Sequence, residues 1–177
     1  MKSEEQIGKW MGKFLIMVAV ATGGCALLLA SSVLAGDLWR SSRATEERAI
    51  RALISEWVEA YQNLDSKRLA AHETHAVEVV DRFGQLRLQS ATENEKLWSD
   101  TFEVISRKST PPTVTVDHIE FLRTEVALVQ VSWQFSEGIL LVDGDRIPPF
   151  SEIDTYVVTK TQGVWLVAAH NMQDKKP

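Results

Sequence analysis

The sequence predicts an α+β domain in which three helical segments precede an antiparallel sheet, all behind an apolar N-terminal leader. Three observations carry this. Apolar residues recur every three or four positions from Ile50 to Tyr61, and with a period of two after Thr113. From Phe14 to Gly36 the chain has no charged residue. Helices first and a strand meander afterwards is an order that packs helices on one face of a curved sheet.

The leader carries Lys2, Lys9 and Lys13 ahead of its apolar run. The run from Phe14 to Ala35 is 22 residues, long enough to cross a bilayer. Val33-Leu34-Ala35 before Gly36 also suits a signal peptide cut after Ala35. Gly23, Gly24, Ser31 and Ser32 dilute the run and favour cleavage over retention. Kept as an anchor, it would still put the following domain outside the cytoplasm, because the lysines precede the span. A lipid on Cys25 is the third reading, and Thr22-Gly23-Gly24 is a poor approach to it. The expected division is a signal peptide or anchor over 1–35, a linker over 36–44 and one domain over 45–173. The expected address is periplasmic or secreted, with membrane contact only through an uncleaved leader.

Cys25 is the sole cysteine and lies in the leader, so the domain has neither a disulfide framework nor thiol chemistry. Removing residues 1–35 takes away three lysines and two glutamates and moves the formal charge from −5 to −6. A mildly acidic domain without a basic run is a poor partner for nucleic acid.

Residues 37–44 read as a polar tether. Thr45 then caps a helix, with Glu46 and Glu47 in its first turn. Ile50, Leu53, Ile54, Trp57, Val58 and Tyr61 form its apolar stripe to about Gln62. Asp65 caps a second helix from Ser66 to about Glu73. Ala76 to Phe83 is expected as a strand, Gly84-Gln85 as a turn and Leu86 to Gln89 as a second strand. Helical spacing returns from Thr92 to Ile105, with Thr92 and Glu95 as a capping box, and Pro111-Pro112 excludes a further helix there. Thr113 to Phe121 and Ala127 to Phe135 follow as strands. Gly138 to Pro149 is expected as a loop. Glu152–Thr161 and Val164–His170 make a hairpin across Thr161-Gln162-Gly163.

The polar residues form no diagnostic motif. His72 and His75 lack a zinc-hydrolase arrangement, and Asp143-Gly144-Asp145 is not followed by further calcium ligands at the right spacing. No nucleophile elbow, phosphate loop or dinucleotide fingerprint occurs, so neither metal nor cofactor is expected. Asp81, Asp117 and Asp154 lie in or beside apolar strands, where a carboxylate facing a desolvated cavity becomes a general base. The sequence leaves the face of Asp154 open. His170 ends the last strand beside Asn171; an imidazole there moves protons near neutral pH, and an amide there donates to an oxyanion.

Phe121 to Val129, Trp133 and Gly163 to Asn171, with Ala49-Ile50-Arg51, Trp57, Ala60-Tyr61 and Leu64-Asp65, resemble the nuclear-transport-factor-2-like superfamily. The nearest resemblance within it is the SnoaL-like group of SgcJ/EcaC type, over about residues 44–171. The resemblance implies a cone of three helices on a strongly curved antiparallel sheet, a cavity between them, and dimers formed through the sheet. Relatives range from isomerases and cyclases to ligand binders and assembly domains, so the fold licenses no single chemistry. It points to His170 and Asp81 as acid–base candidates, with Trp133, Asn171, His118 and Tyr61 lining the pocket. Gln89-Ser90-Ala91 departs from the glycine-rich form usual after that turn. Three functions follow as expectations: an exported domain binding a small apolar or partly polar organic molecule, an isomerase- or cyclase-type acid–base enzyme, or a dimerisation module.

Overall fold

A computed structural model of the chain describes residues 42–175. One compact unit, beginning at Glu47, holds the sheet and the helices packed on it. The leader lies outside the described residues. Helix α1 covers 42–62, so residues 42–44 are helical rather than tether, and Thr45 is within the helix instead of capping it. Its stripe of Ile50, Leu53, Ile54, Trp57 and Ala60 is buried, as the period of three and four requires.

Leu64 takes a left-handed backbone (φ 55°) that ends α1. Asp65 then caps α2 (Ser66–Ala70), accepting from Arg68 N at 2.9 Å. This helix is shorter than its sequence suggested, because Glu73 already begins β1 (Glu73–Val80), which turns into β2 (Leu86–Ser90). Helix α3 (Ala91–Glu103) starts from a capping box of Ser90 and Glu93, two residues before the expected Thr92 and Glu95.

Strands β3 (Thr113–Arg123) and β4 (Val126–Phe135) form an antiparallel pair. The segment expected as a loop contains a small hairpin of β5 (Ile139–Leu140) and β6 (Arg146–Ile147). Then β7 (Phe150–Thr161) pairs with β4, and β8 (Val164–Asp174) with β7. Both central residues of the β7–β8 turn, Gln162 (φ 51°) and Gly163 (φ 83°), have the positive φ that a tight hairpin demands.

The sheet order is β2-β1-β8-β7-β4-β3. This corrects the expectation of a cone-shaped, curved antiparallel sheet. The β1–β8 pairing is parallel, so the sheet is mixed. It is neither curled nor closed, since β2 and β3 end it without pairing to one another. Period-two spacing identifies strands but not their direction, and β1 joins the last strand across most of the chain. Three helices packed on a sheet stand as expected.

One face of the sheet is the core. Val129 and Val131 of β4, Tyr156 and Val158 of β7, and Val167 of β8 pack with the α1 stripe. Among the described residues no helix is long and apolar enough to cross a membrane, and no cluster of three or more metal-ligating side chains forms.

Candidate acid–base site

Alternation along β7 puts Glu152, Asp154, Tyr156 and Val158 on the core side, all buried. Three of these four inward residues carry polar groups. In the antiparallel register Tyr156 lies opposite His170, and Asp154 lies opposite Met172. A register shift between Val157 and Val158 adds one residue to β8 just before this point. His170 therefore shares the parity of Met172 and faces the core.

His170 Nε2 lies 3.0 Å from Asp154 Oδ2, and the Tyr156 hydroxyl donates to the same oxygen at 3.2 Å. His170 is 5% exposed and Asp154 2%. The Tyr156 ring is stacked on the imidazole, with centroids 4.3 Å apart and planes 8° off parallel. Trp57 of α1 meets the imidazole edge-on at 5.9 Å and meets Trp133 of β4 at 5.8 Å. Tyr61, one turn beyond Trp57, lies 5.3 Å from Trp133 and 6.4 Å from Phe135. The result is one imidazole–carboxylate pair walled by aromatic rings.

Asp154 Oδ1 has no hydrogen-bond partner among the described residues. Leaving such a buried acceptor unmatched costs about 1–3 kcal/mol. Two further buried acids surround the pair. Glu73 accepts from the Asn94 amide at 2.5 Å. Burial raises its pKa, while Asn94, the His170 charge and the Trp57 indole oppose the rise; Trp57 Nε1 makes no hydrogen bond of regular geometry. Glu152 pairs with Arg82 at 2.9 Å. Its carboxyl is pushed up to about 7, first by burial and then by the Asp154 charge, with Arg82 and His170 pulling the other way. Burial also raises the Tyr156 and Tyr61 phenols, with neighbouring carboxylates adding to the effect.

The sequence-derived candidates fall in different places. His170, Trp133 and Tyr61 come together in the aromatic site. Asp81 is in the turn after β1, where Oδ1 accepts from Phe83 N and Gln85 N and Oδ2 from Arg87. Asn171 pairs with Thr155 on the opposite face from His170. His118 is exposed on β3, opposite Gln130 on that same outer face. Those three do not share the His170 site. Tyr156, Glu152, Glu73 and Asn94 were not singled out by the sequence. A signal for β7 existed: Asp154 has the parity of Tyr156 and Val158, and the apolar members of a strand reveal its inward face.

Two concavities adjoin the site. A cavity of about 40 Å³ is lined by Tyr61, Leu64, Ile105, Pro111, Phe135 and their neighbours. A surface groove runs past Arg82, Pro148, Phe150 and Lys175.

The arrangement of helices and sheet recurs in solved structures. A ketosteroid isomerase-like protein from Erwinia carotovora atroseptica superposes with a TM-score of 0.63 at 13% identity, over 73% of this chain and 96% of its own. An NTF-2 like protein of unknown function from Shewanella oneidensis MR-1 gives 0.57 at 16%, over 73% and 99%. The fold is nuclear-transport-factor-2-like. A candidate scytalone dehydratase from Novosphingobium aromaticivorans shares this nuclear-transport-factor-2-like fold, with a TM-score of 0.64 at 14% identity over 77% and 88% of the two chains. No protein-family profile matches the chain, and no curated protein sequence does. At these identities the likeness is one of fold.

Proposed function

We propose that this chain is an acid–base enzyme that removes a proton from carbon in a small organic substrate, with His170 as the base. The observation that carries the reading is the buried contact of His170 Nε2 with Asp154 Oδ2 inside an aromatic wall. With Asp154 accepting as a carboxylate, Nε2 holds the ring proton and Nδ1 presents a lone pair. A proton taken up at Nδ1 makes an imidazolium that the adjacent carboxylate stabilises at short range in a poorly screened interior. Tyr156 keeps the carboxylate from rotating and the imidazole in plane. Tyr61, packed against Trp57 and Trp133, also lines the adjoining cavity and offers it an apolar ring surface for a substrate body. The likeness in fold to a ketosteroid isomerase-like protein and a candidate scytalone dehydratase supports the same class of chemistry.

The test is deuterium incorporation. The full-length chain is incubated in D2O with a panel of cyclic and aryl ketones, and loss of the α-proton signal is followed by NMR. The wild type is expected to accelerate exchange and His170→Gln to abolish the acceleration. Wild-type exchange no faster than buffer would sink the reading. Ligand-induced stabilisation without exchange would favour the binding module, for which the cavity beside Tyr61 and Phe135 is the supporting feature. The lysine-headed leader supports work outside the cytoplasm, and fractionation of the producing cell tests that part. A homodimer through the outer sheet face belongs to the same proposal, with sedimentation against concentration as its test.

A further inference from the structure

The His170–Asp154 pair has almost no contact with solvent, yet a base must regain its starting protonation after each turnover. A route for that proton is present on the same strand. Glu152 precedes Asp154 by two residues on the inward face of β7, which puts their Cα atoms about 7 Å apart. Its side chain is 7% exposed, but the Arg82 side chain that holds it is 32% exposed. Arg82 lies in the turn after β1, 4.8 Å over the Phe150 ring and at the wall of the open groove that also contains Lys175. Glu152 thus has one neighbour at the solvent boundary and another in the buried pair.

The unmatched Asp154 Oδ1 gives this neighbourhood a second mark. It is an acceptor without a donor, and a protonated Glu152 is a donor without a reason to stay on Arg82. Ionised, Glu152 is held outward by the guanidinium. Neutral, it loses that attraction and can turn toward Asp154, directly or through one water. We propose that Glu152 is a positioning and proton-loading residue, passing protons between solvent at the Arg82 groove and the buried Asp154–His170 pair. As His170 Nδ1 takes the substrate proton, the Nε2 proton passes through Asp154 to the Glu152 carboxylate, which lets go of Arg82; when Nδ1 gives its proton up, Glu152 returns its own through Asp154 to Nε2 and goes back to Arg82 as a carboxylate. No other reactant is needed.

Burial first of all raises the Glu152 midpoint, and the groups that face it adjust the value. Arg82 from the β1–β2 turn and His170 from β8 favour the carboxylate, whereas Asp154 on β7 and Asp174 on β8 oppose it. Tyr61 from α1 lies within the field of both Glu152 and Arg82. From β4 the residue opposite Glu152 is Trp133, which carries no charge. The midpoint near neutrality that these influences give agrees with a group that both accepts and releases protons in ordinary conditions.

The inference rests on the acid–base function proposed for His170, and its test uses no substrate, so failure of a ketone panel and failure of the relay are told apart. The full-length chain is labelled with 15N-histidine and carboxyl-13C-glutamate and titrated by NMR from about pH 5 to 9, spanning the ordinary histidine range. The His170 ring signals are expected to inflect at the midpoint of the Glu152 carboxyl. Glu152→Gln, which keeps an oxygen for Arg82, removes that inflection and slows exchange of the His170 ring N–H with water by about tenfold or more. Arg82→Gln leaves Glu152 titratable and moves the shared midpoint upward. Exchange as fast in Glu152→Gln as in wild type overturns the proposal. Should that variant fail to fold, Arg82→Gln decides: a midpoint that does not move overturns it.

Discussion

Replacing Glu152 by glutamine gives the sharpest physical test of the buried cluster, because the two side chains have nearly the same shape and differ in charge. Folding raises the Glu152 carboxyl from its ordinary 4.5 to about 7. At 1.36 kcal/mol per pKa unit, that rise corresponds to about 3 kcal/mol. The sign follows from where the proton prefers to be. The folded state holds it more tightly than the unfolded chain, so this stabilisation is fully present below pH 4.5. It declines as pH rises from there and is gone above about 7. Glutamine cannot ionise and shows no such decline. Urea unfolding followed by tryptophan fluorescence should find the two proteins similar near pH 4, and the variant more stable by about 3 kcal/mol at pH 8.5. Taking the difference at each pH removes the contributions of other carboxylates, such as Glu59 and Glu93, whose pKa values are lowered by Arg68 and by Ser90 respectively. A difference constant from pH 4 to 9 would refute the argument.

Two other substitutions separate scaffold from site. Asp81→Ala removes an acceptor shared by two backbone N–H groups and an ion pair with Arg87; a loss of about 1–2 kcal/mol in urea unfolding is expected, with ketone deuterium exchange unchanged. Gly138→Ala puts a methyl group 1.9 Å from Ile147 O on a backbone with φ +69°. It should cost roughly 1–3 kcal/mol, read as lost hydrogen-exchange protection at Leu141, whose amide donates to Asp145 O.

Local signals made the elements legible and left their assembly open. The spacing from Ile50 to Tyr61 gave α1 because an amphipathic helix must bury one stripe. The alternation in Ala127 to Phe135 gave β4 for the corresponding reason in a half-buried strand. Capping was harder to place: both Ser90/Glu93 and Thr92/Glu95 have the required spacing, and only the end of β2 decides between them. The parallel meeting of β1 with β8 has no local signature, since both strands show the same residue types in either direction. Asp81 illustrates a related limit. An aspartate after an apolar strand is equally a base at a cavity edge or an acceptor for a turn, and the short Asp-Arg-Phe-Gly-Gln sequence makes it the latter. Asn171 shows the cost of treating neighbours in sequence as neighbours in a site, because adjacent strand residues face opposite ways.

The concentration of ionisable groups behind the rings is unlike what stability alone would favour. Trp57, Tyr61, Trp133, Phe135 and Tyr156 already provide a well-filled aromatic core. Replacing a buried ionic pair in such surroundings by apolar side chains of equal volume is commonly neutral or stabilising. Yet Glu73, Glu152, Asp154 and His170 are all buried on the core side of one sheet. Each acid is oriented by a partner from another element: Asn94 from α3, Arg82 from the β1–β2 turn, His170 from β8. An acceptor on Asp154 is nevertheless left unmatched. A purely structural network would gain by satisfying that oxygen or deleting the charge. A proton-transfer network gains from an acceptor that is free to change partners, and the unmatched oxygen belongs to the carboxylate that bonds the imidazole.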